Sequence, residues 1–149
     1  MTAVIRPMEM GDVGDAVRLA MASMTYPQYE DPDDVGAYWA AVERTRVMGG
    51  DVLVAEIDHE VVGLCQVMVL AHFQHTGGWC CEVETVHVRA DVRNRGVGTA
   101  LLEAAEALAR ERGCYRIQLT SNITRPDAHR FYERQGYTPS HQGFKKYLA

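Results

Sequence analysis

No stretch of these 149 residues is apolar for long enough to cross a membrane, and the N-terminus has no basic segment leading into an apolar core. Neither a membrane span nor a secretory signal is therefore expected, and the location this implies is cytoplasmic. Cysteine is scarce and wrongly spaced for metal or redox work: Cys65, Cys80, Cys81 and Cys114 include no Cys-x-x-Cys pair. Buried free thiols in a reducing compartment are the expectation, with the adjacent Cys80 and Cys81 on opposite faces of a strand. Positive charge is also short. With 15 Lys and Arg against 20 Asp and Glu, the net charge of −5 argues against a general nucleic-acid or anionic-membrane surface, while leaving room for a local basic pocket. A Walker loop and a three-glycine dinucleotide fingerprint are both missing, which removes the usual nucleotide sites. There is no internal repeat, low-complexity tract or linker, so residues 1–149 read as one domain, long enough to bury one core.

What the chain does have is a basic turn, Arg93-Asn94-Arg95-Gly96-Val97-Gly98, between a strand-like run, Glu82 to Val88, and a helix-like run, Val97 to Arg112. The first N–H groups of a helix have no partner inside it, and the aligned peptide dipoles favour negative charge there. Glycines at 96 and 98 take away Cβ atoms that would hold a phosphate off the backbone, and Arg93 and Arg95 add fixed charge. A diphosphate suits such a turn, although the bare pattern is also that of an ordinary helix start.

Along the chain, Ala3 to Arg6 reads as a strand and Asp12 to Met24 as a helix with Val13, Ala16, Val17, Ala20 and Met24 on one face. The Tyr- and Pro-bearing stretch from Tyr26 to Pro32 breaks regular structure, and a second helix runs from Asp33/Asp34 to about Met48. Asp51 to Ile57 and Val61 to Leu70 form a hairpin across Asp58-His59-Glu60. A polar insertion, Ala71 to Gly78, leads into the strand Trp79 to Val88. The helix Val97 to Arg112 places Val97, Leu101, Ala104, Ala105 and Leu108 on its buried stripe, and Gly113 stops it. Cys114 to Ser121 is a strand, Asp127 to Gln135 a short helix, and Phe144 to Leu148 a last β segment. The order β-α-α-β-β-β-α-β-α-β, with a hairpin before the first strand–helix crossover, indicates an α/β fold on a mixed sheet.

Three elements in this order resemble the GNAT superfamily of acyl-CoA N-acyltransferases: the strand Glu82 to Val88, the run Arg93 to Leu102, and Ala128-His129-Arg130-Phe131-Tyr132-Glu133-Arg134-Gln135-Gly136-Tyr137. The resemblance implies acetyl-CoA as donor. Its pyrophosphate would meet Arg93, Asn94, Arg95, Gly96, Val97, Gly98 and Thr99, and its pantetheine arm would pair with the main chain of Val86, His87 and Val88 as an added strand. Thr120-Ser121-Asn122, Arg125, Asp127 to Tyr132 and Tyr137 to Phe144 look like the C-terminal half of aminoalkylphosphonate N-acetyltransferases and related small-amine enzymes. One departure is Arg125, seven residues before Tyr132, where many members carry Asn; Asn122 stands nearby, out of register, as a cofactor-side candidate.

An alkylammonium, by analogy with lysine, has a pKa near 10, so about one part in a thousand is neutral at pH 7, and a carboxylate that removes its proton addresses that cost. Glu82 and Glu84 alternate on one face of their strand, roughly 7 Å apart, and their repulsion favours protonation of one of them. The resemblance puts Glu84 first as general base and Glu82 second; the plain alternative is a polar outer face. It also makes Tyr132 the proton donor to the leaving thiolate and a backbone N–H near Val86 the oxyanion donor. Tyr26, Tyr29 and Trp39 are acceptor-side candidates by position. His72 and His75, in an insertion where the resembling small-amine enzymes also carry histidines, are substrate-side candidates; three residues apart, they suit two imidazoles on one helical turn, but their surroundings read as loop, and a divalent metal is possible without being assigned. Arg125, His129 and Arg130 offer positive charge to a phosphonate or carboxylate. The implied function is acetyl transfer to a small primary amine, such as an aminoalkylphosphonate, an amino acid-like molecule or an antibiotic amine. A protein or peptide acceptor and a non-catalytic acyl-CoA sensor are the competing readings, and a homodimer is possible.

Overall fold

The computed structural model describes residues 2–149. Five strands, β1 (Val4–Pro7), β2 (Asp51–Ile57), β3 (Glu60–Ala71), β4 (Trp79–Val88) and β5 (Cys114–Leu119), form one sheet in sequence order. The first four are antiparallel, and β4 and β5 run parallel. A parallel neighbour needs a crossover, here supplied by helix α4 (Val97–Glu111) between β4 and β5. This is the mixed α/β sheet read from the sequence.

Each sheet face buries one set of alternate residues. Leu53, Ala55, Cys65, Val67, Cys81 and Val83 point beneath α4, where they meet Val97, Leu101, Leu102 and Ala105. Val52, Val54 and Leu64 point the other way, toward α1 (Val13–Met21) and α2 (Val35–Val47). Helix α1 forms because Val13, Ala16, Val17 and Ala20 recur at helical spacing and are all buried, and α2 begins where Asp34 accepts a hydrogen bond from the Ala37 N–H (3.3 Å). Helix α5 (Pro126–Arg134) opens with proline at its first position and packs Phe131 and Tyr132 against the α4 side. Among the described residues, no helix is long and apolar enough to cross a membrane.

Four details depart from the sequence expectation. Helix α1 stops at Met21 rather than Met24. The fully buried stripe of α4 includes Leu102 and Ala109 and leaves Ala104 and Leu108 at its margin, because the contact line of a 3.6-residue helix drifts as it crosses the sheet. The insertion before β4 contains a single helical turn, α3 (Gln74–Gly77), with His75 and Thr76 at positive φ. The last β segment does not form: Phe144 to Leu148 is exposed and without strand structure. Its Lys145-Lys146 centre gives neither face a continuous apolar row, and Gly143 lies against Thr120, beyond the end of β5 at Leu119.

Candidate active site

The site is made by a strand that loses one neighbour. Pairing of β4 with β5 ends at Val83–Leu119, while β3 continues beside β4 as far as the Gly63–Val88 pair. From Glu84 to Val88 one edge of β4 is therefore open. Within this stretch Gln66 faces Glu84 and Leu64 faces His87, so Cys65 alone opposes two residues, Thr85 and Val86. That is a β-bulge, and Thr85 sits in it at φ 55°, a strained value for a β-branched residue. The bulge resets the alternation, which brings Val86 and Val88 into the core under α4 and turns His87 to the α1 side. The Arg89 N–H donates to the Val62 carbonyl (2.8 Å), so by alternation His87 also faces β3, and Val86 and Val88 direct their N–H and C=O groups to the open edge.

Past β4 the chain turns into α4 through Asn94 (φ 61°) and Gly96 (φ 81°), and the helix starts without a side-chain cap. The N–H groups of its first turn are left free, beside the exposed Arg93, Arg95 and Gly96. Arg93 Nε donates to the Val88 carbonyl (3.0 Å), tying the turn to the open edge. Gly98 has a different role from the one its spacing suggested: a Cβ there would lie 3.0 Å from Phe131 Cζ, so it allows α5 to approach α4 rather than clearing space for an anion. Thr99 accepts a hydrogen bond from Gln135 (3.1 Å), a second tie between the two helices.

Since Cys81 and Val83 point under α4, Glu82 and Glu84 turn to the opposite face, as their alternation requires. Glu82 accepts a hydrogen bond from Gln118 Nε2 (2.7 Å). Burial raises the proton affinity of Glu84, the charge of Glu82 adds to it, and Lys145 opposes it. Tyr132 on α5 keeps its proton more firmly than a free phenol, chiefly through burial, with Arg125 acting in the other direction and Glu84 reinforcing. The imidazole of His87 shares a hydrogen bond with Ser23 Oγ (2.7 Å), and burial with the nearby Arg125 and Arg93 charges pulls its pKa down to about 4.

An open strand edge that runs into an uncapped, basic helix start, with a carboxylate and a tyrosine at the split, is geometry shared by a large group of proteins. The sequence profile of the "Acetyltransferase (GNAT) family" matches residues 16–137. The chain belongs to the GNAT family. Among curated relatives, the aminoalkylphosphonate N-acetyltransferase of Salmonella typhimurium is 40% identical over 89 residues, 60% of this chain and 57% of that enzyme. The chain thus spans little more than half the length of that relative. Glucosamine 6-phosphate N-acetyltransferase 1 of Oryza sativa subsp. japonica is 31% identical over 139 residues, 89% of this chain and 79% of that enzyme. Among solved structures, a transcriptional regulator from Bacillus halodurans C-125 superposes with a TM-score of 0.89 at 30% identity, covering 98% of this chain and 99% of that one.

Other residues singled out in the sequence fall around this GNAT framework at varying distances. Arg125, at the start of α5, is near enough to Tyr132 and His87 to bear on both their protonation states. Asn122 commits its side-chain oxygen to Thr124 (2.9 Å to N, 2.7 Å to Oγ1) and its carbonyl to His129 Nε2 (2.8 Å) and the Arg125 N–H (3.1 Å), closing the loop before α5. Arg130 pairs with Asp127 on α5 itself. His72 and His75 lie at the other end of the sheet from Val86 to Val88, beside the Trp79–Cys114 pair; both rings stack on Tyr115, and His72 hydrogen bonds its hydroxyl. Among the described residues, no third His, Cys, Asp or Glu joins them as a metal-binding group. Tyr26 and Tyr29 are largely exposed, and Trp39 bonds Glu43 (3.1 Å) under Arg46. The α1–α2 side instead presents Glu30, Tyr38, Gln66 and Thr85, along with Ser23 against His87. Thr85 and His87 lie within the Glu82 to Val88 motif and Glu30 within the Tyr26 to Pro32 stretch, but no motif marked Ser23, Tyr38 or Gln66, which only folding brings beside them.

Proposed function

We propose that this chain is an acetyl-CoA-dependent N-acetyltransferase acting on a primary amine of a small molecule, by direct attack in a ternary complex. The observation that carries this reading is the open β4 edge from Glu84 to Val88, running onto the bare N-terminus of α4. The main-chain groups of Val86 and the Val88 N–H, unpaired in the sheet, suit the amides of a pantetheine arm, and the free N–H groups near Gly96, with Arg93 and Arg95, suit a diphosphate. The donor's fit is therefore supported both along the strand edge and at the helix start. Glu84 takes the proton from the incoming ammonium, directly or through water. The Val86 N–H meets the charge that develops on the carbonyl oxygen as nitrogen bonds to carbon. Tyr132, held protonated, gives its proton to the departing sulfur when the carbon–sulfur bond breaks.

The retained Glu84 and Tyr132 favour catalysis over acyl-CoA sensing. The phosphonate acceptor named for the Salmonella relative and the sugar phosphate named for the rice relative each contain a primary amine, and that shared group is the part of their chemistry this reading adopts. Tyr132→Phe tests it. Turnover, followed as free thiol released from acetyl-CoA, is expected to fall by at least ~10-fold with little change in acetyl-CoA affinity. A variant with unchanged turnover removes Tyr132 from the mechanism.

A further inference from the structure

Between α1, α2 and the sheet is a cavity of about 200 Å³ whose inner end reaches the β4 bulge at Thr85. Its wall is hydrocarbon, formed by Val13, Val17 and Ala20 of α1, Val42 of α2, and Val52 and Leu64 of the sheet, all buried. An engineered apolar cavity of ~150 Å³ holds a benzene ring, so this volume admits a ring or a short chain.

The polar groups are few, Glu30, Tyr38, Gln66 and Thr85, and the only charge among them is negative. Tyr38 donates its hydroxyl proton to Glu30 Oε2 (2.7 Å) and accepts from the Asp31 N–H (2.9 Å), which leaves the other Glu30 oxygen for a ligand. Gln66 gives one Nε2 proton to Thr45 Oγ1 (3.1 Å), which fixes the amide and leaves its carbonyl oxygen, beside the second N–H, without a protein partner. Gln66 is the cross-strand partner of Glu84, which sets this acceptor group beside the point of transfer. Glu30 is the only charged residue in the lining. Arg93, Arg125 and Lys145, the cations bearing on the site residues, all lie outside it. A lining that accepts hydrogen bonds and carries one negative charge suits an ammonium group; a phosphonate would have to shed its water next to a carboxylate.

We infer that the acceptor is a small amine with a hydrocarbon body, an alkyl- or arylalkylamine, and that amines carrying phosphate or phosphonate are discriminated against by this cavity. This rests on the acetyltransferase reading and narrows its acceptor.

The test compares 2-phenylethylamine and butylamine with 2-aminoethylphosphonate. Binding of 2-phenylethylamine is read by ligand-detected NMR without acetyl-CoA, acetyl-CoA binding by calorimetry, and turnover by thiol release. The expected result is a kcat/KM at least tenfold higher for the hydrocarbon amines. Ala20→Leu, which fills the cavity, should abolish 2-phenylethylamine binding while acetyl-CoA still binds, and that retained binding also shows the variant is folded. Val17→Ala, which enlarges it, should shift preference toward bulkier arylalkylamines. Faster turnover of the phosphonate, turnover of neither class by protein that binds acetyl-CoA, or no binding of 2-phenylethylamine to the wild type overturns the inference. If 2-phenylethylamine binds and Ala20→Leu abolishes it, but acetyl-CoA does not bind, the acetyltransferase reading fails and the amine site stands.

Discussion

Glu84 is the residue on which the proposed chemistry turns, because it is half withdrawn from water and shares a strand face with a second carboxylate. A base with a raised pKa works only when deprotonated. Activity should therefore rise with pH through an apparent pKa above the ordinary carboxylate range, and Glu84→Gln should lower kcat/KM by roughly 100-fold or more and flatten that limb. A pH–rate profile of both proteins checks this. His87 behaves in the opposite sense. Its folded pKa of about 4 lies below the value of an exposed imidazole, so between about 6.5 and 4 the unfolded chain binds the extra proton more readily. Stability present near neutral pH is therefore lost as pH falls through that window, and His87→Gln should lose less over it in thermal unfolding at pH 7 and pH 5. An imidazole NMR titration should show His87 neutral down to pH 5. Glu84 and Tyr132 were singled out through the family resemblance, and the strand and the helix expected to carry them form as β4 and α5. His87 was read only for its main chain, since the bulge that turns its ring toward Ser23 depends on pairing with β3.

At the scale of elements, the split between β4 and β5 is set by what each strand pairs with, and the helices hold it open. Phe131 seats against Gly98 and Gln135 against Thr99, so α5 is fixed on α4 and Tyr132 is carried to the split. Gly98→Ala brings a methyl group to 3.0 Å from the Phe131 ring and should cost roughly 1–3 kcal/mol in chemical unfolding, with a loss of turnover as α5 shifts. The anion site is a separate property of the same turn. Arg93→Ala with Arg95→Ala should weaken acetyl-CoA binding more at low than at high salt, without a comparable loss of stability, because both arginines are exposed. Helices α1 and α4 were legible as periodic apolar faces, α2 from its start after the Pro-bearing stretch, and the hairpin as β-rich runs around Asp58-His59-Glu60. The missing last strand was not, since aromatic residues near the end of a chain suggest a strand whether or not any edge awaits them.

Over the whole molecule, the sheet divides two environments that meet only where β4 and β5 part. On the α4 side are the basic turn, Arg125 and the free edge that suits the donor. On the α1–α2 side is a hydrocarbon cavity with a single carboxylate. A broader groove over Arg6, Trp39, Arg46 and Asp51 is an open surface whose two arginines are already paired, Arg6 with Asp12 and Glu56 and Arg46 with Asp51, so it offers no unpaired cation to an anion. The family was legible because three motifs stand in order along the chain. The acceptor side escaped, because its residues come from four elements brought together by folding. The most direct measurement is thiol release from acetyl-CoA by the purified wild-type chain across a panel of small amines, with Glu84→Gln alongside. Amine-dependent release that collapses in the variant while acetyl-CoA remains bound is the predicted result; bound acetyl-CoA with no release for any amine, or equal release by Glu84→Gln, would contradict it.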